Sequence, residues 1–177
     1  MNYDKIEDLI AEFPLYQYAI LPTENVTFSE RVRTICTSEC ERYGKSWSCP
    51  PAVGSVGACK EKCNSYGQVL VFSTVAEAVE AYDFASRLAT KKEHEQITCQ
   101  IEAAMKKQGY HVLTLSSDSC AICDSCAYPS ESCRHVDQMH PCIESYGIVV
   151  TPLLEELQFD YYLSENIILW FSMIFFS

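Results

Sequence analysis

The chain has 177 residues, of which 48% are hydrophobic and 21% charged, so it can bury one sizeable core and is too short for two domains of ordinary size. Its 24 acidic and 13 basic residues leave a formal net charge of −11, a surface that repels phosphate backbones and anionic lipid and argues against nucleic acid or membrane as a partner. Residues 1–13 are acidic and amphipathic rather than basic and then apolar, and the apolar run 167–176 is far short of the roughly 20 residues that cross a bilayer, so a cytoplasmic chain is expected.

Ile6, Leu9, Ile10 and Phe13 recur at helical spacing, which predicts an amphipathic helix over 4–13 that Pro14 ends. Residues 15–21 can form a strand. A first cysteine region follows over 36–63, where Gly44, Pro50, Pro51, Gly54 and Gly57 enforce loops, with a short helix beginning near Ser55. The run QVLVFSTV at 68–75 is a β-rich strand. From 77 to 108, Val79, Tyr82, Ala85, Leu88, Ile97, Ile101 and Met105 keep helical spacing, in one or two helices, and Gly109 is a C-terminal stop. Residues 110–115 return as a strand. A strand, some thirty helical residues and another strand make a βαβ unit, whose two strands are expected to be parallel. The second cysteine region spans 120–142. Thr151 and Pro152 read as an N-cap and first helical residue, and 167–176 closes the chain as a strand. The expected architecture is α/β: one domain over 1–177, with a mixed central sheet of about four strands, flanking helices and cysteine-rich loops.

Eleven cysteines dominate the composition. Without an export signal, and in a chain long enough to fold unstapled, they favour metal or thiol chemistry over disulfides. The second region reads Cys120-x2-Cys123-x2-Cys126-x6-Cys133. Three cysteines at successive spacings of three let one tight loop offer thiolates to three corners of a cubane, and a fourth comes from farther along. Bacterial ferredoxins share this spacing up to the third cysteine; the last gap here is six rather than three, and Arg134 follows where proline is usual. Zinc sites more often use two separated C-x2-C pairs or recruit histidine, so an iron–sulfur cluster is favoured and zinc is the alternative.

The first region reads Cys36-x3-Cys40-x8-Cys49-Pro50-Pro51. The third spacing excludes the radical-generating C-x3-C-x2-C motif. Three cysteines beside Gly44 and a double proline still describe a loop shaped around a ligand, with Tyr43 and Trp47 either shielding it or filling the core. Cys59 and Cys63, at i and i+4 on the helix near Ser55, are expected in the core. Cys99 lies in a helix, far from other cysteines in the sequence, and reads as a core or surface thiol. Cys142 is close enough to the second loop to be a spare ligand. His135 and His140 could ligate or hydrogen-bond a cluster, or be solvated. Arg134 would offset thiolate charge or form a surface ion pair. His94 and Glu93 in KKEHEQ look like an exposed helical face. No serine–histidine–acid pattern or phosphate-binding glycine loop is present.

These two cysteine strings, with Tyr43-Gly44 between the second and third cysteines of the first and the segment PCIESYGI at 141–148, resemble the predicted metal-binding proteins called domain of unknown function 2284. The resemblance spans nearly the whole chain. It implies a cysteine-rich, cytoplasmic metal or iron–sulfur protein whose sites are Cys36, Cys40 and Cys49 in the first region and Cys120, Cys123, Cys126 and Cys133 in the second. Cys59, Cys63 and Cys99 fall outside the family pattern. Two positions depart from it: Val136 stands where proline is usual, and Cys142 where serine is usual.

Three functions are compatible with this reading. The first is a cytoplasmic redox protein with one or two clusters of [4Fe-4S] type, exchanging electrons with a partner protein that carries a basic patch. The second is an enzyme in which a three-cysteine cluster on Cys36, Cys40 and Cys49 leaves an iron open to act as a Lewis acid. The third is a zinc-binding structural or metal-handling protein, in which the metal contributes directly to folding.

Overall fold

The chain is described by a computed structural model over residues 4–77 and 84–177. Four strands, β1 (Gln17–Pro22), β2 (Gln68–Glu77), β3 (Val112–Ser116) and β4 (Ile167–Phe176), form one sheet in the order β1-β2-β4-β3. Among the described residues five α-helices accompany it: α1 (Asp4–Ile10), α2 (Glu30–Ser38), α3 (Val56–Asn64), α4 (Phe84–Lys107) and α5 (Val150–Glu156). The α/β class and the strand number are those expected. The sheet is not mixed, because every hydrogen-bonded pair in it is antiparallel. β2 and β3 do run in the same direction, as the crossover requires, but the last strand of the chain enters between them and pairs with both.

The central strands are apolar on both faces, and the sheet separates two cores. Val69 and Val71 of β2, with Phe171, Met173 and Phe175 of β4, pack against Cys59 and Cys63 of α3, Ile143, Tyr146, and Leu153 and Leu154 of α5. Leu70, Phe72, Ile174 and Phe176 face the other way, toward Ile6 and Ile10 of α1 and Ile101 and Met105 of α4. A strand buried on both faces reads as a continuous apolar run rather than an alternation. This is why β4 has the bounds expected for it.

Helix α4 buries Lys91, His94, Thr98, Ile101 and Met105, successive steps of three and four along one face. The expected exposed face at KKEHEQ therefore holds for Glu93 and fails for His94, which is 1% exposed. Its ring nitrogens lie 2.8 Å from Thr74 Oγ1 on β2 and 2.8 Å from Ser172 Oγ on β4. Burial holds its pKa down to about 4, so the ring is neutral and satisfied in the core. Gly109, at φ +91°, follows α4 as the predicted stop. Val79 and Tyr82 of the expected helix lie outside the described residues.

Helix α2 was not anticipated. Ser29 caps it, accepting from the Arg31 amide at 3.2 Å, but none of its side chains is fully buried. Cys36 consequently sits in a helix rather than a loop. Helix α5 starts at Val150 without a side-chain cap, not at the expected Thr151–Pro152 pair. Pro152 is tolerated there because first-turn amides have no partner within the helix.

Candidate metal centre

The two cysteine segments meet at the end of β3. The sequence did not single out what joins them, the strap Ser46-Trp47-Ser48 just ahead of Cys49. The Ser48 hydroxyl accepts from the Cys120 amide at 2.9 Å and lies 3.4 Å from the Ser119 hydroxyl and 3.6 Å from Cys49 Sγ. The Ser48 carbonyl accepts from the Cys142 amide at 3.0 Å. One residue early, the Trp47 indole donates to the Glu131 carbonyl at 3.0 Å, and its ring meets Tyr128 edge-on at 4.9 Å. Trp47 thus clamps the second loop instead of filling the core. Short serines flanking a ligand cysteine are a weak sequence signal, because serine is equally common in plain turns.

From the opposite side, α4 fixes the approach to Cys120. The buried Lys91 ammonium donates to the carbonyls of Ser117 and Ser119 and sits 3.7 Å from Glu95. Burying an ammonium is costly unless it is paired and hydrogen-bonded, and these partners supply both.

Cys120, Cys123, Cys126 and Cys133 line one small cleft, roofed by Ser46 and Trp47 and flanked by Arg134 and His135. None of the eleven cysteines is disulfide-bonded. Burial would raise the Cys126 thiol, but the backbone amides of Tyr128 and Trp47, the Ser46 hydroxyl and the Arg134 charge outweigh it and bring its pKa below the ordinary value. Such neighbours stabilise a thiolate, the form that binds metal. Arg134 also donates to the Ser125 carbonyl at 3.1 Å, which ties the two ends of the loop.

As the side chains stand, no three His, Cys, Asp or Glu among the described residues converge tightly enough to hold a single ion. The cleft measures about 20 Å³, roughly the room of one water molecule. The donor set fits a metal group: four thiols surround one space, with amide, hydroxyl and guanidinium groups to offset thiolate charge. A cubane, in which each thiolate takes its own iron, requires residues 120–133 to open. Much of that loop is exposed, and it contains neither helix nor strand.

In the first segment, Cys36 is in the last turn of α2, Cys40 is exposed and Cys49 is buried. Arg33 anchors α2 by donating to the Ser145 carbonyl and, at 2.8 Å, to the Gly54 carbonyl. Burial raises the Cys36 thiol, and Cys40, Cys49 and Glu144 are close enough to raise it further, against Arg33, which lowers it. Cys59 and Cys63 lie in the core as expected, with burial pushing Cys63 up to about 12.

A larger cavity of about 530 Å³ adjoins Cys120 on the side facing α4, lined by Lys91, Glu95, Cys99, Ile122 and His140 among others. Cys99 is thus near another cysteine after all: it shares this cavity with Cys120, because α4 packs along the approach to the second loop. Burial and the charges of Glu95 and Glu102 hold its thiol up at about 11. His140 is buried rather than solvated. Its Nδ1 donates to Glu95 at 3.0 Å and its Nε2 to Glu102 at 2.8 Å. Burial opposes the charge, yet the two carboxylates raise its pKa to about 9. Burial likewise opposes ionisation of Glu95, but His140, Lys91 and Ser116 bring it to about 2.

The model of the predicted metal-binding protein family DUF2284 matches residues 19–176. The chain belongs to this family of predicted metal-binding proteins. No curated protein and no solved structure matches it. No helix among the described residues is long and apolar enough to cross a membrane.

Proposed function

We propose that Cys120, Cys123, Cys126 and Cys133 bind an iron–sulfur cluster of [4Fe-4S] type, and that the protein exchanges electrons through it with a partner protein. One observation carries this reading: all four thiols of the C-x2-C-x2-C-x6-C string border the same cleft, beside groups that favour thiolates. Cys36, Cys40 and Cys49 supply ligands to a second site next to it. The thiols of the second loop are partly exposed, which suits electron exchange at a protein surface. The net charge of −11 suits a partner with a basic patch in the same compartment, the cytoplasm in our reading. Strictly anaerobic purification should give a brown protein with iron and acid-labile sulfide, and a reduced form with an electron paramagnetic resonance signal. A colourless product carrying zinc and no sulfide would sink the proposal in favour of the zinc reading.

The cavity beside Cys120 favours a second reading, in which the cluster delivers electrons to a small molecule bound there. The open iron expected on the first cysteine set is not needed for it, since the cavity adjoins the second set. Filling the cavity with C99W separates the two readings. Electron exchange with a protein partner survives the plug, whereas turnover of a small molecule does not.

A further inference from the structure

The cavity of about 530 Å³ beside Cys120 is walled on one side by two rows of α4 side chains, each stepping by four residues along the helix. Lys91, Glu95 and Cys99 form the inner row, and Lys92, Gln96 and Gln100 the outer one. Cys120, Ala121 and Ile122 make a second wall, which Gln138 and His140 extend. Its size falls within the range of small-molecule pockets, roughly 300–1,000 Å³.

The inner polar groups already have partners. The Lys91 ammonium is taken up by the carbonyls of Ser117 and Ser119 and by Glu95. Each His140 ring nitrogen faces a carboxylate oxygen, on Glu95 and on Glu102, so both carry hydrogen and the ring is an imidazolium. These groups give the cavity charge rather than free donors. The outer groups differ. Lys92, Gln96, Gln100 and Gln138 are exposed, and their side chains have no hydrogen-bond or ionic partner among the described residues. One ammonium and three amides are therefore what a ligand meets, beside the apolar surface of Ala121 and Ile122.

The charge here is opposite to that of the chain. Lys91, Lys92 and His140 line the cavity against the single carboxylate of Glu95, and Glu102 behind them is offset by Lys106 at 2.6 Å. The whole chain carries −11. A positive pocket in an acidic protein selects an anion. Among the described residues no arginine and no glycine lines it, so it lacks the guanidinium fork and the backbone nest that hold phosphates. One ammonium with neighbouring amides suits a carboxylate. We propose that this cavity binds a small organic carboxylate, its charged end on Lys92 and the glutamine amides and its apolar body along Ala121 and Ile122 toward Cys120. The proposal rests on the second reading above and names the class of molecule for it.

Benzoate, benzamide and benzylamine share a shape and differ in charge, so they serve as probes. Binding is measured by titration calorimetry and by shifts of glutamine side-chain amide resonances, for the wild type, K92Q and C99W, with folding checked by circular dichroism. The metal-free reduced protein and the protein reconstituted anaerobically with iron and sulfide are both titrated. Benzoate should bind about fivefold or more tightly than benzamide, and benzylamine least. The amide resonances of Gln96, Gln100 and Gln138 should move with benzoate. K92Q changes an exposed residue and should fold as the wild type does, while its affinity for benzoate drops to that for benzamide. C99W should abolish binding. Benzamide or benzylamine binding as tightly as benzoate, benzoate binding untouched in both variants, or no benzoate binding would each overturn the proposal. Inorganic phosphate binding more tightly than benzoate, and lost in K92Q, would overturn the carboxylate class. A protein that binds benzoate and takes up no iron would keep the site and remove the delivery of electrons to it. One that takes up iron and binds no benzoate in either form would remove the site and leave the cluster.

Discussion

Replacing His140 with glutamine makes the stability of the protein depend less on pH, by an amount that can be worked out. The imidazole is 5% exposed and bonded to two carboxylates, which lifts its pKa from 6.5 to about 9. A group raised on folding contributes stability fully below its unfolded pKa and loses it as pH rises through the folded value. At roughly 1.4 kcal/mol per pH unit, His140 contributes at most about 3 kcal/mol at pH 6, about 1 at pH 8 and close to none at pH 10. H140Q keeps the size and one donor but never carries the charge. Lys91, 3.7 Å from Glu95, and Lys106, 2.6 Å from Glu102, keep both carboxylates ionised over this range.

Thiols whose pKa rises on folding also lose stability in alkali, so the readout is the difference between the two proteins and not the wild-type curve alone. Urea denaturation of metal-free, fully reduced protein at pH 6, 8 and 10 gives that difference. It should be largest at pH 6 and shrink by about 2–3 kcal/mol by pH 10. A difference constant with pH would refute the charged triad and leave His140 as a packing residue.

In the metal-free protein Cys126 should alkylate faster than Cys120 or Cys142 at pH 8, read by mass spectrometry, because its thiol is shifted toward the thiolate and theirs are shifted away from it. R134Q should slow that reaction; equal rates in the two proteins would mean that Arg134 does not act on this sulfur. S48A leaves the half-buried Cys120 amide without its acceptor and should cost about 1–3 kcal/mol, with faster loss of iron from the reconstituted protein. G147A should be destabilised by about 2 kcal/mol or more, measured by thermal melting, because Gly147 has φ +78° and a Cβ there would meet Val56 at 2.7 Å. An unchanged melting temperature would mean that the contact of this turn with Val56 of α3 can yield freely.

What could be read from the sequence follows how each residue is buried. β2 and β4 are buried on both faces, so their apolar runs located them directly, and Cys59 and Cys63 share a helix face with Val56 and could be assigned to the core. Periodicity reports that a side is covered but not by what. The βαβ pattern therefore gave the direction of β2 and β3 and could not reveal that β4 enters between them. The same gap hid His94 and Lys91: charged-looking residues in KKEHEQ are buried because β2, β4 and the approach to Cys120 supply distant partners. Helix α2 is short and buries nothing fully, so Val32, Ile35 and Cys36 were too few to mark it, and it carries Arg33 to the turn at Ser145. The cysteine motifs were legible from spacing alone. Their junction was not, since it depends on Ser48 reaching residues more than seventy positions away.

Cys120 is the residue on which the functional readings divide. Its amide is held by Ser48 from the first cysteine segment, and the backbone leading to it is held by Lys91 from α4. On one side it borders the cleft with Cys123, Cys126 and Cys133; on the other it borders the cavity with Cys99 and His140. A cluster bound through Cys120 would thus have a partly exposed loop on one flank and a larger, open cavity on the other. The loop flank offers electron exchange with a protein, and the cavity flank offers a bound small molecule a position within reach of the same iron. The His140 triad takes part only in the second case, since it lines the cavity and not the cleft. If C99W leaves every electron exchange of the reconstituted protein intact, the triad is a structural device that anchors residues 138–142 to α4. If the plug abolishes one such reaction, the charge on His140 becomes part of that reaction, and its rate should fall in H140Q as well.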